Sequence, residues 1–221
     1  MTKSHILDRD ARRWFEKAQI QHRRWEFGRD TLYKMCAATR HDDINATMSK
    51  LWLIGRSHSA ALERSHTPSE TYATTYEKTA RRMAARGKLD QLLDNVTRAG
   101  RSSRACSIAQ LQAARDIVEY LTDLFFGTTG QRKISLASKY LHFHQSAIPI
   151  FDSISAAVLR QLVPKRDIAE THRPLITTTY GLHLARFGHT FDTLIASGYT
   201  PTTRTLDNLL LYLGTRRSEM I

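Results

Sequence analysis

The sequence predicts an all-α protein, for three reasons. Apolar side chains repeat at helical spacing along most of the chain, and residues that begin and end helices separate these stretches. No internal repeat, low-complexity segment or linker interrupts the pattern. We therefore expect one all-α unit over residues 1–221, with two helical lobes at 1–105 and 106–221. An N-terminal lobe that is completed by returning C-terminal helices fits the pattern equally well.

In the N-terminal half, composition and capping signals predict four helices. Gly28 is a natural stop for the first of them. In the third, the small residues Gly55 and Ser59 form a notch that another backbone can approach closely. Thr67-Pro68-Ser69-Glu70 is a capping box with proline at the first helical position, so the fourth helix begins there. The predicted helices are 7–27, about 30–39, one that starts at Ile44, and one that ends near Arg86.

The C-terminal half predicts further helices around a short polar turn. Residues 176–180 have strand propensity, but the leucines and phenylalanines that follow favour a helix, so 175–197 is ambiguous. The last helix opens at Thr200-Pro201. The other predicted elements are helices of roughly 107–126, 133–145 and 152–162, and a turn at 127–131.

The charge of the chain indicates a polyanionic partner. Its formal net charge is +12, while 41% of its residues are apolar, as in a soluble globular protein. Such a charge attracts nucleic acid, although a merely basic surface is the plainer interpretation. A membrane surface is disfavoured, because no helix is strongly basic on one face and apolar on the other.

The cysteines and the apolar runs exclude several classes of protein. Cys36 and Cys106 alone can form neither a disulfide scaffold nor a four-cysteine iron–sulfur cluster. The start of the chain lacks the apolar core of a signal peptide, and no apolar run approaches the roughly 18 residues of a membrane span. We expect a cytoplasmic monomer with no membrane contact, no metal and no cofactor.

The stretch from the turn to residue 152 carries the clearest motif. The turn Gly127-Thr-Thr-Gly130 leads into a helix with two lysines, Lys133 and Lys139. The apolar segment Ile148-Pro-Ile-Phe151 then ends at Asp152, where a new helix begins. This order of turn, lysine, helix, proline-containing apolar segment, aspartate and helix resembles the catalytic core of helix-hairpin-helix DNA glycosylases, especially the 8-oxoguanine type. The resemblance spans about residues 121–160 and implies a two-lobed helical fold without an iron–sulfur cluster.

The resemblance implies a catalytic role for Asp152. Cleavage of the bond between a base and its sugar develops positive charge on the sugar, and a nearby carboxylate stabilises that charge. In the family, the corresponding aspartate stands at a helix start and is held by backbone N–H groups. The plainer interpretation is that Asp152 is an ordinary helix cap.

Bifunctional members of the family also use a lysine that forms a Schiff base with the sugar. Lys133 stands 19 residues before Asp152, which resembles the family spacing, and the adjacent Arg132 would favour its neutral amine. Lys139, in the middle of the predicted helix, is the rival. A solvated lysine or a phosphate contact is the alternative for each.

The turn and several arginines are the candidates for DNA contacts. Gly127 and Gly130 can build a phosphate-binding turn, but the chain lacks the proline of the family's hairpin, and its second glycine stands three residues before the lysine instead of two. The candidate phosphate-binding side chains are Arg132, Arg56, Arg101 and Arg104.

Histidines and aromatic residues are the candidates for a base pocket. His142 and His144 point about 200° apart on a helix, so they make a poor joint metal site, and packing near the core is their plainer role. Trp52 and His58 lie beside the small-residue notch, where exposed polar positions of a core helix are the alternative. The predicted base pocket comprises His142, Phe143, His144, Trp52 and His58.

The sequence thus predicts a DNA glycosylase, a hydrolase that flips a damaged or modified base out of double-stranded DNA and cleaves its N-glycosidic bond. Strand cleavage would follow if a lysine attacks. Base-excision repair and defence against phage DNA with modified bases both fit. The alternative is a non-catalytic, basic all-α DNA-binding protein that keeps a glycosylase-like core. An RNA-binding module has less support, since no aromatic-rich sheet motif occurs.

Overall fold

The computed structural model describes residues 5–23, 26–65, 72–101 and 105–216, and in these ranges every regular element is helical. The predicted all-α class is confirmed. Short 3-10 turns at Leu62–Ser65, Ala85–Gly87, Lys165–Asp167 and Glu170–Leu175 connect some of the helices. The α-helices are α1 (His5–Arg23), α2 (Glu26–Ala38), α3 (Ile44–Ser57), α4 (Tyr72–Ala84), α5 (Lys88–Arg101), α6 (Ile108–Thr129), α7 (Ile134–His144), α8 (Ser153–Leu162), α9 (Thr179–Ala196) and α10 (Thr203–Thr215).

Two predicted helix ends are wrong. Gly28 does not end the first helix but lies in the first turn of α2, where a side chain at this position would meet no other atom within 4 Å. The helix predicted to end at residue 126 continues through Gly127 to Thr129, and the hydroxyls of Thr128 and Thr129 donate hydrogen bonds to carbonyls of the preceding turn. It ends at Gly130, which adopts the left-handed conformation with φ 70°.

Other predictions have a definite outcome. The ambiguous region contains helix α9, which begins after Thr178 because the Thr178 hydroxyl accepts a hydrogen bond from the Gly181 N–H at 2.9 Å. The notch at Gly55 is confirmed: a Cβ there would lie 3.1 Å from the Cα of Ala61, so the chain's own next turn occupies the notch. The capping box at 67–70 lies outside the described residues.

One continuous cluster of buried apolar side chains includes residues from both predicted lobes. Helix α6 packs against α4, α5, α7 and α9, and α10 packs against α1 and α8. The rings of Trp14 and Tyr212 lie 5.9 Å apart, which fixes α1 against α10. The C-terminal helix therefore returns to the N-terminal one. Among the described helices, none has both the length and the apolar character that crossing a membrane requires.

Candidate functional site

A cavity of about 600 Å³ lies where α2, α3, α7, α8 and α10 meet, within the size range of small-molecule sites. Two of the predicted catalytic residues, Asp152 and Lys139, line it together, and so does His58 from the predicted base pocket. Helices that are distant in sequence therefore assemble one site around the motif. The charged and titratable groups of its wall are His22, Arg29, His58, Lys139, Asp152 and Asp207.

Asp152 is the N-cap of α8. Its Oδ1 accepts a hydrogen bond from the Ser155 N–H at 2.8 Å, and the Ser155 hydroxyl accepts one from the Asp152 N–H at 3.2 Å. This reciprocal capping box fixes the carboxyl group at the helix start, where the helix dipole favours a negative charge. Asp152 is therefore a helix cap, as the plainer interpretation has it, and at the same time part of the cavity wall.

Buried polar side chains fix the segment that leads to Asp152. Its backbone carbonyls accept hydrogen bonds from His142 Nδ1 (to Ile148, 2.8 Å), from the Tyr180 hydroxyl (to Pro149, 2.7 Å) and from His183 Nε2 (to Ile150, 3.0 Å). The segment is thus held on the α7 and α9 sides, and the longest of these three hydrogen bonds joins residues 33 places apart in sequence.

The histidines of this network are neutral near pH 7. Burial lowers the pKa of His142 to about 3 and that of His183 to about 4. Each ring therefore has one N–H, which the backbone carbonyl receives. The other nitrogen of His142, Nε2, then accepts a hydrogen bond from the Tyr33 hydroxyl. His142 was predicted to line a base pocket, whereas in the structure it is fully buried and holds the Ile148 carbonyl.

Lys139 lies on the cavity side of α7. It is half-buried, and its Nζ donates a hydrogen bond to the His58 carbonyl at 3.1 Å. Lys133 is the N-cap of α7 and does not line the cavity. The two lysines are six positions apart, which corresponds to about 9 Å along a helix axis. Of the two candidate nucleophiles, the structure therefore brings Lys139, which the family spacing disfavoured, to the same wall as Asp152.

His58 contributes a neutral imidazole to the wall. Burial first, and then the positive charge of Lys139, lower its pKa to about 4. The ring packs against Phe143 with centroids 4.9 Å apart. Phe143 itself is buried, so it supports His58 from behind without lining the cavity.

Asp207 is a functional candidate that the sequence analysis missed. It is 3% exposed, and its Oδ2 accepts the Ile150 N–H at 3.4 Å. Burial raises the pKa of this carboxyl group well above its ordinary value, which favours its neutral acid form. The signal that could have found it is an acidic residue directly beside Leu206 in the apolar stripe of α10.

The remaining base-pocket candidates lie elsewhere. Trp52 is 49% exposed and lines a neighbouring groove of about 520 Å³ on α3 and α4. His144 packs against the rings of His41 and Tyr140, at 4.6 and 4.8 Å between centroids. Burial lowers its pKa well below the ordinary value, as expected for a core histidine. Neither residue lines the cavity that contains Asp152.

The turn before α7 is already hydrogen-bonded within the protein. The Gly130 N–H donates to the Phe126 carbonyl at 2.8 Å, and the Gln131 N–H donates to Thr129 Oγ1 at 3.3 Å. Gly127 lies inside α6 against the Arg82 guanidinium, which a Cβ would meet at 2.8 Å. These amides are therefore not displayed for a phosphate in this conformation.

Two of the four candidate arginines form ion pairs within the protein. Arg132 forms ion pairs with Glu119 at 2.8 Å and Asp123 at 2.5 Å. Arg56 pairs with Glu63 at 2.5 Å. Arg101 is exposed at the end of α5, and Arg104 lies outside the described residues.

The residues that the structure describes include no cluster of histidine, cysteine and acidic side chains that could hold a metal ion. No family model, curated protein or solved structure matches this chain. The cavity and the chemistry of its residues are therefore the features that indicate a function.

Proposed function

We propose that the protein is a DNA glycosylase that binds a flipped, damaged or modified base in the cavity and cleaves its N-glycosidic bond. The observation that supports this proposal is that Asp152 and Lys139 line one cavity of about 600 Å³. A carboxylate can stabilise a sugar cation, and a lysine side chain can attack it once its amine has lost a proton. The capping box supports the same role, because it fixes the Asp152 carboxyl group.

The chemistry assigned to the cavity residues is simple. As the bond to the base breaks, positive charge develops on the sugar ring, and the Asp152 carboxylate stabilises it. Either water or the amine of Lys139 then attacks the sugar carbon. A lysine adduct would be an imine, and strand cleavage would follow from it, whereas attack by water would end the reaction at base release.

The net charge supports DNA as the substrate. A formal charge of +12 favours binding to a phosphate backbone, and the base would leave the duplex to enter the cavity. We propose that the protein acts on double-stranded DNA, as a monomer in the cytoplasm, in base-excision repair or in defence against phage DNA with modified bases.

The decisive experiment is a base-release assay with the purified protein on a panel of duplexes, each with one damaged or modified base. We expect one class of base to be released by the wild type, and release to be lost in Asp152→Asn. Borohydride trapping on the same duplexes separates lysine from water as the nucleophile. If no duplex of a broad panel loses its base, the proposal is refuted.

One observation favours the alternative, a non-catalytic DNA-binding protein with a glycosylase-like core. The turn N–H groups of Gly130 and Gln131 are bonded within the protein, so the hairpin contact to phosphate that the family resemblance implies has no free donors there. Under this alternative the protein would bind duplex DNA, and no base would be released at any enzyme concentration.

A further inference from the structure

Asp207 adds a second carboxyl group to the cavity, from α10. We propose that this residue enters the reaction as a neutral acid: it donates a hydrogen bond to the flipped base and gives the base a proton as the glycosidic bond breaks. The inference deepens the proposed function and rests on it. It assigns a role to Asp207 and specifies the chemistry of the base.

The geometry leaves one Asp207 oxygen for a ligand. Oδ2 accepts the Ile150 N–H, whereas Oδ1 is buried and has no hydrogen-bond partner in the protein. A buried polar atom without a partner is costly, and its presence in a cavity wall points to a ligand. A carboxylic acid whose Oδ2 is already an acceptor has its proton available on Oδ1.

The charged and titratable neighbours of Asp207 act on its pKa in both directions, and burial has the largest effect. From α2, Arg29 donates to the Asn208 side chain at 2.7 Å, and its positive charge lowers the pKa of Asp207, by less than burial raises it. The Asp152 carboxylate, at the start of α8, disfavours a second negative charge. From α7, His142 Nδ1 lies 3.9 Å from Asp207 Oδ2, but this ring is itself neutral.

The rings of Tyr33 (α2) and Tyr180 (α9) complete this environment. The phenol pKa of both is raised by burial, so neither contributes a charge near pH 7. Burial of Asp207 is therefore the largest effect on its proton, and the neighbouring carboxylate acts in the same direction.

A neutral acid selects a particular kind of ligand. The Oδ1 proton needs a lone pair, which the ring nitrogens and exocyclic oxygens of nucleobases supply. Since a saturated or fully alkylated edge offers no such acceptor, we expect bases with an accessible ring nitrogen or carbonyl oxygen to bind. Asp152, a helix cap that accepts hydrogen bonds, has the other role and stays beside the sugar.

The proton and electron balance is complete with water as the co-reactant. The bond between the sugar C1′ and the base nitrogen breaks, and its electron pair stays on the base. The Asp207 proton moves to the acceptor atom of the base, so the base leaves neutral and Asp207 becomes a carboxylate. The oxygen of water bonds to C1′ and releases one proton, which restores the Asp207 acid. If the Lys139 amine attacks instead, its N–H supplies that proton.

The test uses Asp207→Asn in the full chain. The amide keeps an acceptor for the Ile150 N–H and a donor towards the cavity, but it has no proton to transfer. We expect base release to fall about 100-fold, as for loss of a general acid, while duplex binding is unchanged. The matched control is Asp90→Asn, which removes another largely buried carboxyl group; it is bonded to His41 on a part of α5 that does not line the cavity.

Two further measurements keep the inference separable from the glycosylase proposal. The infrared difference between wild type and Asp207→Asn at pH 7 should contain the band of a protonated carboxyl group. Release by the wild type should fall as pH rises through the Asp207 pKa, because only the acid form donates, and Asp207→Asn should lack this fall. A carboxylate band at pH 7, or equal pH profiles, overturns the role of Asp207, even if Asp152→Asn abolishes release.

The role of Asp207 can also be tested if the protein releases no base. If no duplex loses its base, the glycosylase proposal fails, and Asp207 is judged by the infrared band and by calorimetric binding of free nucleobases. Binding that depends on the acid form supports a base-recognition role. Absence of the protonated band, or equal binding by wild type and Asp207→Asn across the pH range, overturns it.

Discussion

Asp152 has two roles in our account, a helix cap and a charge beside the sugar, and substitutions can separate them. Asparagine keeps an oxygen that can accept the Ser155 N–H but removes the negative charge. Alanine removes both. The chain offers a matched control in Asp43, the N-cap of α3, whose Oδ1 accepts the Ala46 N–H at 2.9 Å and which does not line the cavity.

The magnitudes follow from these contacts. Loss of an aspartate cap costs about 1 kcal/mol, and an asparagine cap costs less. In a chain of 221 residues, 1 kcal/mol shifts Tm by roughly 2–4 °C. Removal of a charge that stabilises the transition state should instead slow base release at least about 100-fold, which corresponds to ~2.7 kcal/mol.

The assay compares Asp152→Asn, Asp152→Ala, Asp43→Asn and Asp43→Ala in thermal unfolding, duplex binding and single-turnover base release. We expect both alanine variants to lose similar stability, and only the Asp152 variants to lose activity. Asp152→Asn should be nearly as inactive as Asp152→Ala, despite a Tm close to that of the wild type. If Asp152→Asn releases the base at a near-normal rate, Asp152 is a structural cap alone and the site assignment is wrong.

Three further predictions follow from the charges and the cavity. Lys139→Gln should abolish borohydride trapping if the enzyme is bifunctional, whereas Lys133→Gln should keep it; the reverse result would move the nucleophile to Lys133. Duplex affinity should fall with a log–log salt slope of roughly −4 to −5, as for ~5 phosphate contacts, and a flat dependence would refute DNA binding. The free energy of unfolding, measured with urea, should fall as pH decreases from about 6.5 towards 4. In this range three histidines bind a proton in the unfolded chain but stay neutral when they are buried in the folded protein. Asp207 on α10 has the opposite effect, because its pKa is raised in the folded protein, but it accounts for only one proton. A stability that does not change with pH in this range would contradict the assignment of neutral rings to His58, His142 and His183.

Helices were predictable because their signals are local. The apolar stripe of α6 and the proline-containing segment before Asp152 identified the elements around the motif correctly. One local signal was misleading: Gly127 resembles a turn residue, but α6 continues through it to Thr129, and Gly130 in the left-handed conformation follows. Composition alone therefore does not place a helix end within a few residues.

The cavity was only partly predictable because residues distant in sequence form it. The motif supplied Asp152 and Lys139, but Arg29 from α2 and Asp207 from α10 enter the same wall through tertiary packing. The spacing in the sequence favoured Lys133. Such a spacing is only a number of residues, and it does not show which side of α7 faces the cavity. In the structure the orientation of α7 decides, and it places Lys139 in the wall of the cavity that Asp152 also lines.

The segment Ile148-Pro-Ile-Phe151 shows how structural and chemical requirements combine in one motif. A non-helical segment in the core must satisfy its backbone polar groups. Pro149 has no N–H to satisfy, and buried side chains serve the remaining groups: His142, Tyr180 and His183 bind its carbonyls, while Asp207 and Ser138 bind its N–H groups. Because Oδ2 of Asp207 is committed to this backbone, only Oδ1 is left without a hydrogen-bond partner. The same contact that fixes the approach to Asp152 therefore orients the second carboxyl group in the cavity, so the two groups are positioned as a pair.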